Sequence, residues 1–131
     1  MKKRIKLLLL FFSAAAFITA AATAFGQGAE NKIETVFSSE TLLIDVRTPI
    51  EFQYDHLEKA VNIPLNTIKE DIKYFAPDKE KAIALYCSSG KRSEFALKEL
   101  KDLGYKNVVN AGKFMELKEI EKKRKSSNPD Q

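Results

Sequence analysis

Four short apolar runs place the tightest limit on what this chain can fold into. Thr41–Val46, Ala60–Ile63, Ala82–Tyr86 and Asn107–Val109 are each three to six residues long and bounded by polar or turn-forming residues. A strand with one face in water alternates apolar with polar residues. These runs barely alternate, so each needs apolar cover on both faces, as strands of a parallel sheet have. Helical patterns fall between them. Pro49 opens a segment to Tyr54 at a position where a helix tolerates proline. Leu65, Ile68, Ile72 and Phe75 recur at spacings of three and four, with Asn66 as the expected N-cap and Pro77 as the stop. Phe95, Ala96, Leu97, Leu100 and Leu103 mark a third helix, closed by Gly104. A fourth is expected from about Lys113 to Lys123. Strands alternating with helices predict a three-layer α/β/α domain around a mostly parallel sheet of four to five strands.

The ends of the 131-residue chain read differently. Lys2, Lys3, Arg4 and Lys6 precede an apolar run from Leu7 to Ile18, and the small residues that follow end in Ala22-Thr23-Ala24. This is the layout of a secretory signal peptide, with cleavage expected after Ala24 or Gly26. The apolar run is about 12 residues long, against the roughly 20 that span a bilayer, so no stable membrane anchor is expected after cleavage. The expected organisation is a leader over 1–24, an N-terminal extension over 25–40, the folded domain over 41–124 and a flexible tail over 125–131. The leader carries four basic residues and no acidic ones. Its removal takes Lys+Arg from 22 to 18 against 18 Asp+Glu, leaving no net charge and no electrostatic case for nucleic-acid binding. Export points to the periplasm or the exterior, and the domain is expected to act as a monomer.

Chemistry concentrates in one segment. Cys87 is the only cysteine, so an intramolecular disulfide is excluded. It stands at the end of a buried run, and Ser88-Ser89-Gly90-Lys91-Arg92-Ser93 follows before a helix begins. In open parallel sheets, ligands sit just past the carboxyl ends of the strands. A tight loop there turns several amides towards one point, and the next helix aims its N-terminus at the same place. Lys91 and Arg92 add positive charge, and Gly90 lets the loop curl. A cysteine so surrounded is expected to have a lowered pKa and to act as a thiolate nucleophile. Outside that segment, Asp45 and Arg47 follow the first strand. One reading aims Arg47 at the loop with Asp45 orienting it, and the other pairs the two as structural ions. His56, the single histidine, reads as a hydrogen-bonded turn residue, and with no second ligand beside it no metal site and no cofactor are expected. Tyr86 reads as core.

The loop Cys87-Ser88-Ser89-Gly90-Lys91-Arg92 resembles the six-residue active loop of the rhodanese superfamily. Leu42–Pro49, Glu51-Phe52, and His56-Leu57 through Ala60–Pro64 resemble that family's first signature. Leu103-Gly104-Tyr105, Val108 and Asn110-Ala111-Gly112 resemble its last strand and turn. Together these cover residues 41–112, and the leader and compact length are most like the short periplasmic members. The resemblance implies a sulfurtransferase in which Cys87 takes the outer sulfur of a donor such as thiosulfate as a persulfide. A thiophilic acceptor, cyanide in the usual assay, then removes it. The loop amides with Ser88, Ser89, Gly90, Lys91, Arg92 and Ser93 would bind the anionic donor, with Lys91 and Arg92 on its sulfonate. Two positions depart from the pattern: Asp55 stands where a glycine is usual before the histidine, and Lys113 where a second glycine often follows Gly112. Both are expected to change the backbone locally without loss of chemistry.

Two other functions share these features. Cysteine phosphatases and arsenate reductases use five residues between cysteine and arginine, whereas Ser88 to Lys91 make four here. A non-enzymatic sulfur carrier or redox-responsive binding module would keep the same cysteine and cations.

Overall fold

The computed structural model describes residues 24–128. The expected leader therefore lies outside the described residues up to residue 23, as do the last three residues. The order of elements is α1 (Ala24–Phe37), β1 (Leu42–Asp45), α2 (Pro49–Tyr54), β2 (Val61–Asn62), α3 (Ile68–Phe75), β3 (Ile83–Cys87), α4 (Lys91–Asp102), β4 (Val108–Lys113) and α5 (Phe114–Ser127). The four strands form one sheet in the order β2-β1-β3-β4, and every pairing is parallel. This is the α/β architecture that the unalternating apolar runs imply.

β3 sits at the centre and explains the layering. All five of its residues are buried. Ile83, Leu85 and Cys87 pack with Ile68 and Ile72 of α3 and Ala96 and Leu100 of α4. Ala84 and Tyr86, pointing the other way, pack with Val36 of α1 and Phe114 and Leu117 of α5. Each large aliphatic side chain so buried contributes about 1.5–3 kcal/mol, so two helix pairs clamp the strand from both faces. Successive residues of one strand thus serve different layers, and Cys87 belongs to the α3/α4 side.

Where elements differ from expectation, local bonding explains it. The N-cap of α3 is Thr67, not Asn66. The Thr67 amide and hydroxyl both donate to the Pro64 carbonyl, forming a turn that holds Leu65 and Asn66 ahead of the helix. Only Ile68 and Ile72 of α3 are buried, Phe75 is exposed, and the following Ala76 takes the core position. In α4, Ala96 and Leu100 face the core while Phe95 and Leu103 face water. The extension over 25–40 is largely helical, and Val36 plugs α1 into the core. Helix α5 runs on to Ser127, and in its last turns Arg124 pairs with Glu34 and Lys125 with Glu58. Asp55 and Lys113 both adopt ordinary extended backbone, so neither position needs the glycine usual there.

The end of α4 follows its sequence signal closely. Gly104 is left-handed at φ 92°, its amide donates to Lys101, and the Tyr105 amide donates to Leu100. This pair of bonds is a Schellman closure, which aims the chain into β4. Nothing lies within 4 Å of a Cβ added at Gly104, so only the backbone angle selects glycine. Gly104→Ala is expected to cost about 1 kcal/mol, read as a lower urea midpoint with an unchanged slope. An unchanged midpoint would show that the angle carries no strain for alanine.

Candidate active site

β3 delivers Cys87 to the carboxyl edge of the sheet, where Ser88 and Ser89 turn the chain and Gly90 starts α4. Gly90 is left-handed at φ 85°, the angle that folds the loop back over the sulfur. Its amide donates to Cys87 Sγ at 3.0 Å, and Ser93 Oγ lies 3.6 Å from the same atom. Burial pushes the Cys87 thiol up. Against it act the Ser93 hydroxyl and then the amides of Ser93, Ser89 and Gly90, and together they hold the thiol below its ordinary range. The N-terminus of α4 adds its dipole in the same direction. The thiol is itself fully buried, so its ionisation depends on these donors and not on water.

The two loop cations part company. Arg92 is spent on Glu51 of α2: Nη1 donates to Oε2 and Nη2 to Oε1, both at 2.8 Å. Ser88 Oγ joins them, donating to Glu51 Oε1 and accepting from Arg92 Nη2, each at 3.0 Å. Glu51 is also the N3 residue of a capping box, taking the Thr48 amide and hydroxyl at the start of α2. One carboxylate therefore ties the α2 N-terminus, the loop and the first turn of α4 together. The Arg92 fork above all holds the Glu51 carboxyl well below the usual carboxylate range, against the opposing effect of burial. Lys91 is exposed, and its ammonium has no ion-pair partner among the described residues. Of the two expected sulfonate contacts, only Lys91 is free in this geometry.

A second clamp comes from β4. That strand carries one extra residue, Ala111, since Leu85 pairs with Asn110 and Tyr86 with Gly112. Such bulges re-aim side chains. Here Asn110 Nδ2 donates to the Gly90 carbonyl at 3.1 Å, and Asn110 Oδ1 accepts from Ser93 Oγ at 2.8 Å. Glu51 and Asn110 are the site residues that residue-by-residue reading missed. Thr48-x-x-Glu51 was visible as a capping box; nothing local marked its carboxylate as the partner of an arginine 41 positions on.

Asp45 and Arg47 are not brought to the loop. They pair with each other in the core, Arg47 Nη2 lying 2.6 Å from Asp45 Oδ2. The same nitrogen donates to the Asp55 carbonyl, and the guanidinium lies 4.1 Å from the Phe114 ring centroid on the α1/α5 side. Among the described residues neither side chain bonds Cys87, residues 88–90 or Arg92, so the reading that aims Arg47 at the cradle is set aside for the ion pair. His56 stacks on Phe52 with ring centroids 3.9 Å apart and donates through Nδ1 to the Phe52 carbonyl. Tyr86 is buried against Phe114, and its hydroxyl accepts the Leu57 amide.

A single buried sulfur lies under converging amides at the carboxyl edge of a parallel α/β sheet, an arrangement suited to cysteine-based group transfer. The Rhodanese-like domain family model matches residues 29–116, and the chain belongs to that family. It is 43% identical over 77 residues to the thiosulfate sulfurtransferase PspE of Escherichia coli, covering 59% of this chain and 73% of that protein. A mitochondrial Schizosaccharomyces pombe protein named for the same activity is 38% identical over 88 residues, covering 58% of this chain and 62% of the yeast protein. Among solved structures, an Escherichia coli rhodanese with anions superposes with a TM-score of 0.56 at 40% identity, over 57% of this chain and 88% of that one.

The Glu51 clamp has a testable pH signature. Its pKa is lowered by folding, so its contribution is complete above the unfolded carboxylate value of about 4.3 and fades as pH falls below it. Glu51→Gln is expected to lower the urea midpoint at pH 7, with the gap from wild type narrowing below about pH 4. A gap independent of pH would mean that the carboxylate charge does not hold the loop.

Proposed function

We propose that this chain is a thiosulfate sulfurtransferase that carries sulfur on Cys87. The carrying observation is the convergence of amides and the Ser93 hydroxyl on a sulfur held below its ordinary pKa. The names of the relatives support the donor class, and the anions in the Escherichia coli structure suit a cradle built from backbone N–H groups.

The steps are those that the family resemblance implies, and the geometry supports them. The Cys87 thiolate attacks the outer sulfur of thiosulfate. A bond forms between the two sulfurs, the sulfur–sulfur bond of the donor breaks, and sulfite leaves with its electron pair. Cys87 is then a persulfide, and the negative charge rests on its outer sulfur. The acceptor, cyanide in an assay, attacks that sulfur and departs as thiocyanate, returning the Cys87 thiolate. The mechanism invokes no separate general base, because the donors that lower the Cys87 pKa favour the ionised nucleophile. The amides of Ser89, Gly90 and Ser93 cradle the anion, a role like that of an oxyanion hole. Lys91 supplies the free charge for the sulfonate, while Arg92 and Ser88 hold the loop's shape through Glu51. The signal-peptide layout expected over residues 1–24 supports action outside the cytoplasm, in the periplasm or beyond.

Incubation with thiosulfate alone is expected to add about 32 Da, one sulfur atom, to the intact protein at Cys87. Cys87→Ser is expected to take up no sulfur and to form no thiocyanate, while its urea midpoint stays near that of wild type. Thiocyanate formation by Cys87→Ser at the wild-type rate would overturn the assignment. Mass gain without turnover on cyanide would favour a sulfur carrier, and cleavage of p-nitrophenyl phosphate a phosphatase.

A further inference from the structure

Ser93 has more acceptors than protons. Its hydroxyl carries one hydrogen. Within reach lie Asn110 Oδ1 at 2.8 Å, the Gly90 carbonyl at 3.0 Å and Cys87 Sγ at 3.6 Å. Ser93 is itself fully buried, so water does not make up the shortfall. The Asn110 amide is not free to turn away. Its Nδ2 donates to the Gly90 carbonyl at 3.1 Å and to Glu94 Oε2 at 2.8 Å, and its Oδ1 accepts the Gly112 amide at 3.0 Å. A flipped amide would set its NH2 against the Gly112 N–H and its oxygen against two other oxygens. Oδ1 is therefore a fixed rival for the Ser93 proton.

We propose that Asn110 is a positioning residue for sulfur transfer, competing with the Cys87 sulfur for the single Ser93 hydroxyl proton. A neutral thiol is a weak acceptor, so the hydroxyl then stays with Asn110. A thiolate makes a charge-assisted bond and draws the hydroxyl across. Once the persulfide forms, the charge moves to the outer sulfur and the hydroxyl returns to Asn110. The pair thus reads the charge on Sγ and limits how far the thiol is acidified. This rests on the Cys87 thiolate of the proposed function. Alkylation by iodoacetamide needs no sulfur donor, so the test stands apart from the identity of the substrate.

Charged residues on the elements packed about Cys87 include Lys91, Arg92 and Glu94 of α4, Lys69 and Glu70 of α3 and Lys113 of β4, with Glu51 of α2 behind Arg92 and the Asp45–Arg47 pair after β1 on the opposite layer. All stay in place in the variants, and a parallel series in Ser93→Ala subtracts any shift they cause. The experiment is the pH profile of Cys87 alkylation in the full chain. Asn110→Ala removes the shorter-bonded of the two rival acceptors, leaving the Gly90 carbonyl, and is expected to lower the Cys87 pKa by about half a unit, roughly a threefold gain in the thiolate-to-thiol ratio. In Ser93→Ala the same substitution is expected to move it little. An unchanged or raised pKa in Asn110→Ala, or an equal shift in both backgrounds, overturns the proposal. Should Asn110→Ala fail to fold, the near-isosteric Asn110→Asp is expected to raise the Cys87 pKa, and by less when Ser93 is absent. Equal rises in the two backgrounds would reduce Asn110 to a through-space charge.

Discussion

Everything at the site depends on one buried sulfur whose pKa is held below its ordinary range by donors that belong to the fold. Burying an ionised group without partners is prohibitive, and a thiol in such a place would ordinarily stay protonated. Here the end of β3 and the start of α4 are three residues apart, so the turn between them has few ways to go. Those ways put the amides of Ser89, Gly90 and Ser93 around Sγ. The fold supplies the solvation that water supplies elsewhere, and it does so before any substrate arrives.

A loop this short is only as good as its supports, and two clamps hold it from opposite sides. Glu51 reaches across from α2 to Arg92 and Ser88. Asn110, turned by the bulge in β4, holds the Gly90 carbonyl and Ser93. Neither clamp touches the sulfur, yet each fixes a group that does or a neighbour of one. The arrangement also separates adjacent cations. Arg92, with its planar fork, serves as a bidentate strut, and Lys91 is exposed with no ion-pair partner among the described residues.

The layered fold was legible because burial on both faces leaves a plain trace: Ile83-Ala84-Leu85-Tyr86 has no polar alternation to hide. The C-terminal stop of α4 at Gly104 and the opening of α2 at Pro49 were likewise local signals. Cys87 and its loop stood out for the same reason, since a strand end, a tight turn and a helix start are contiguous. What escaped were contacts between distant residues. Glu51 entered only as part of the segment resembling the family's first signature and Asn110 as part of its last strand and turn, because each acquires its role only when β1, β3 and β4 lie side by side. Arg47 shows the reverse. Its nearness to a strand end invited a place at the loop, but strand alternation and the Phe114 ring turn it to the other layer. The last turns of α5 meet Glu34 and Glu58 from other segments, contacts that no local pattern announces.

Titration of the Cys87 thiolate by its ultraviolet absorbance in the folded, donor-free protein tests the central claim most directly. The account predicts a midpoint below the roughly 8.5 of an unperturbed cysteine, reverting upward when the protein is unfolded in urea. A folded-state midpoint at or above that value would mean that burial outweighs the converging donors, and the account would fail.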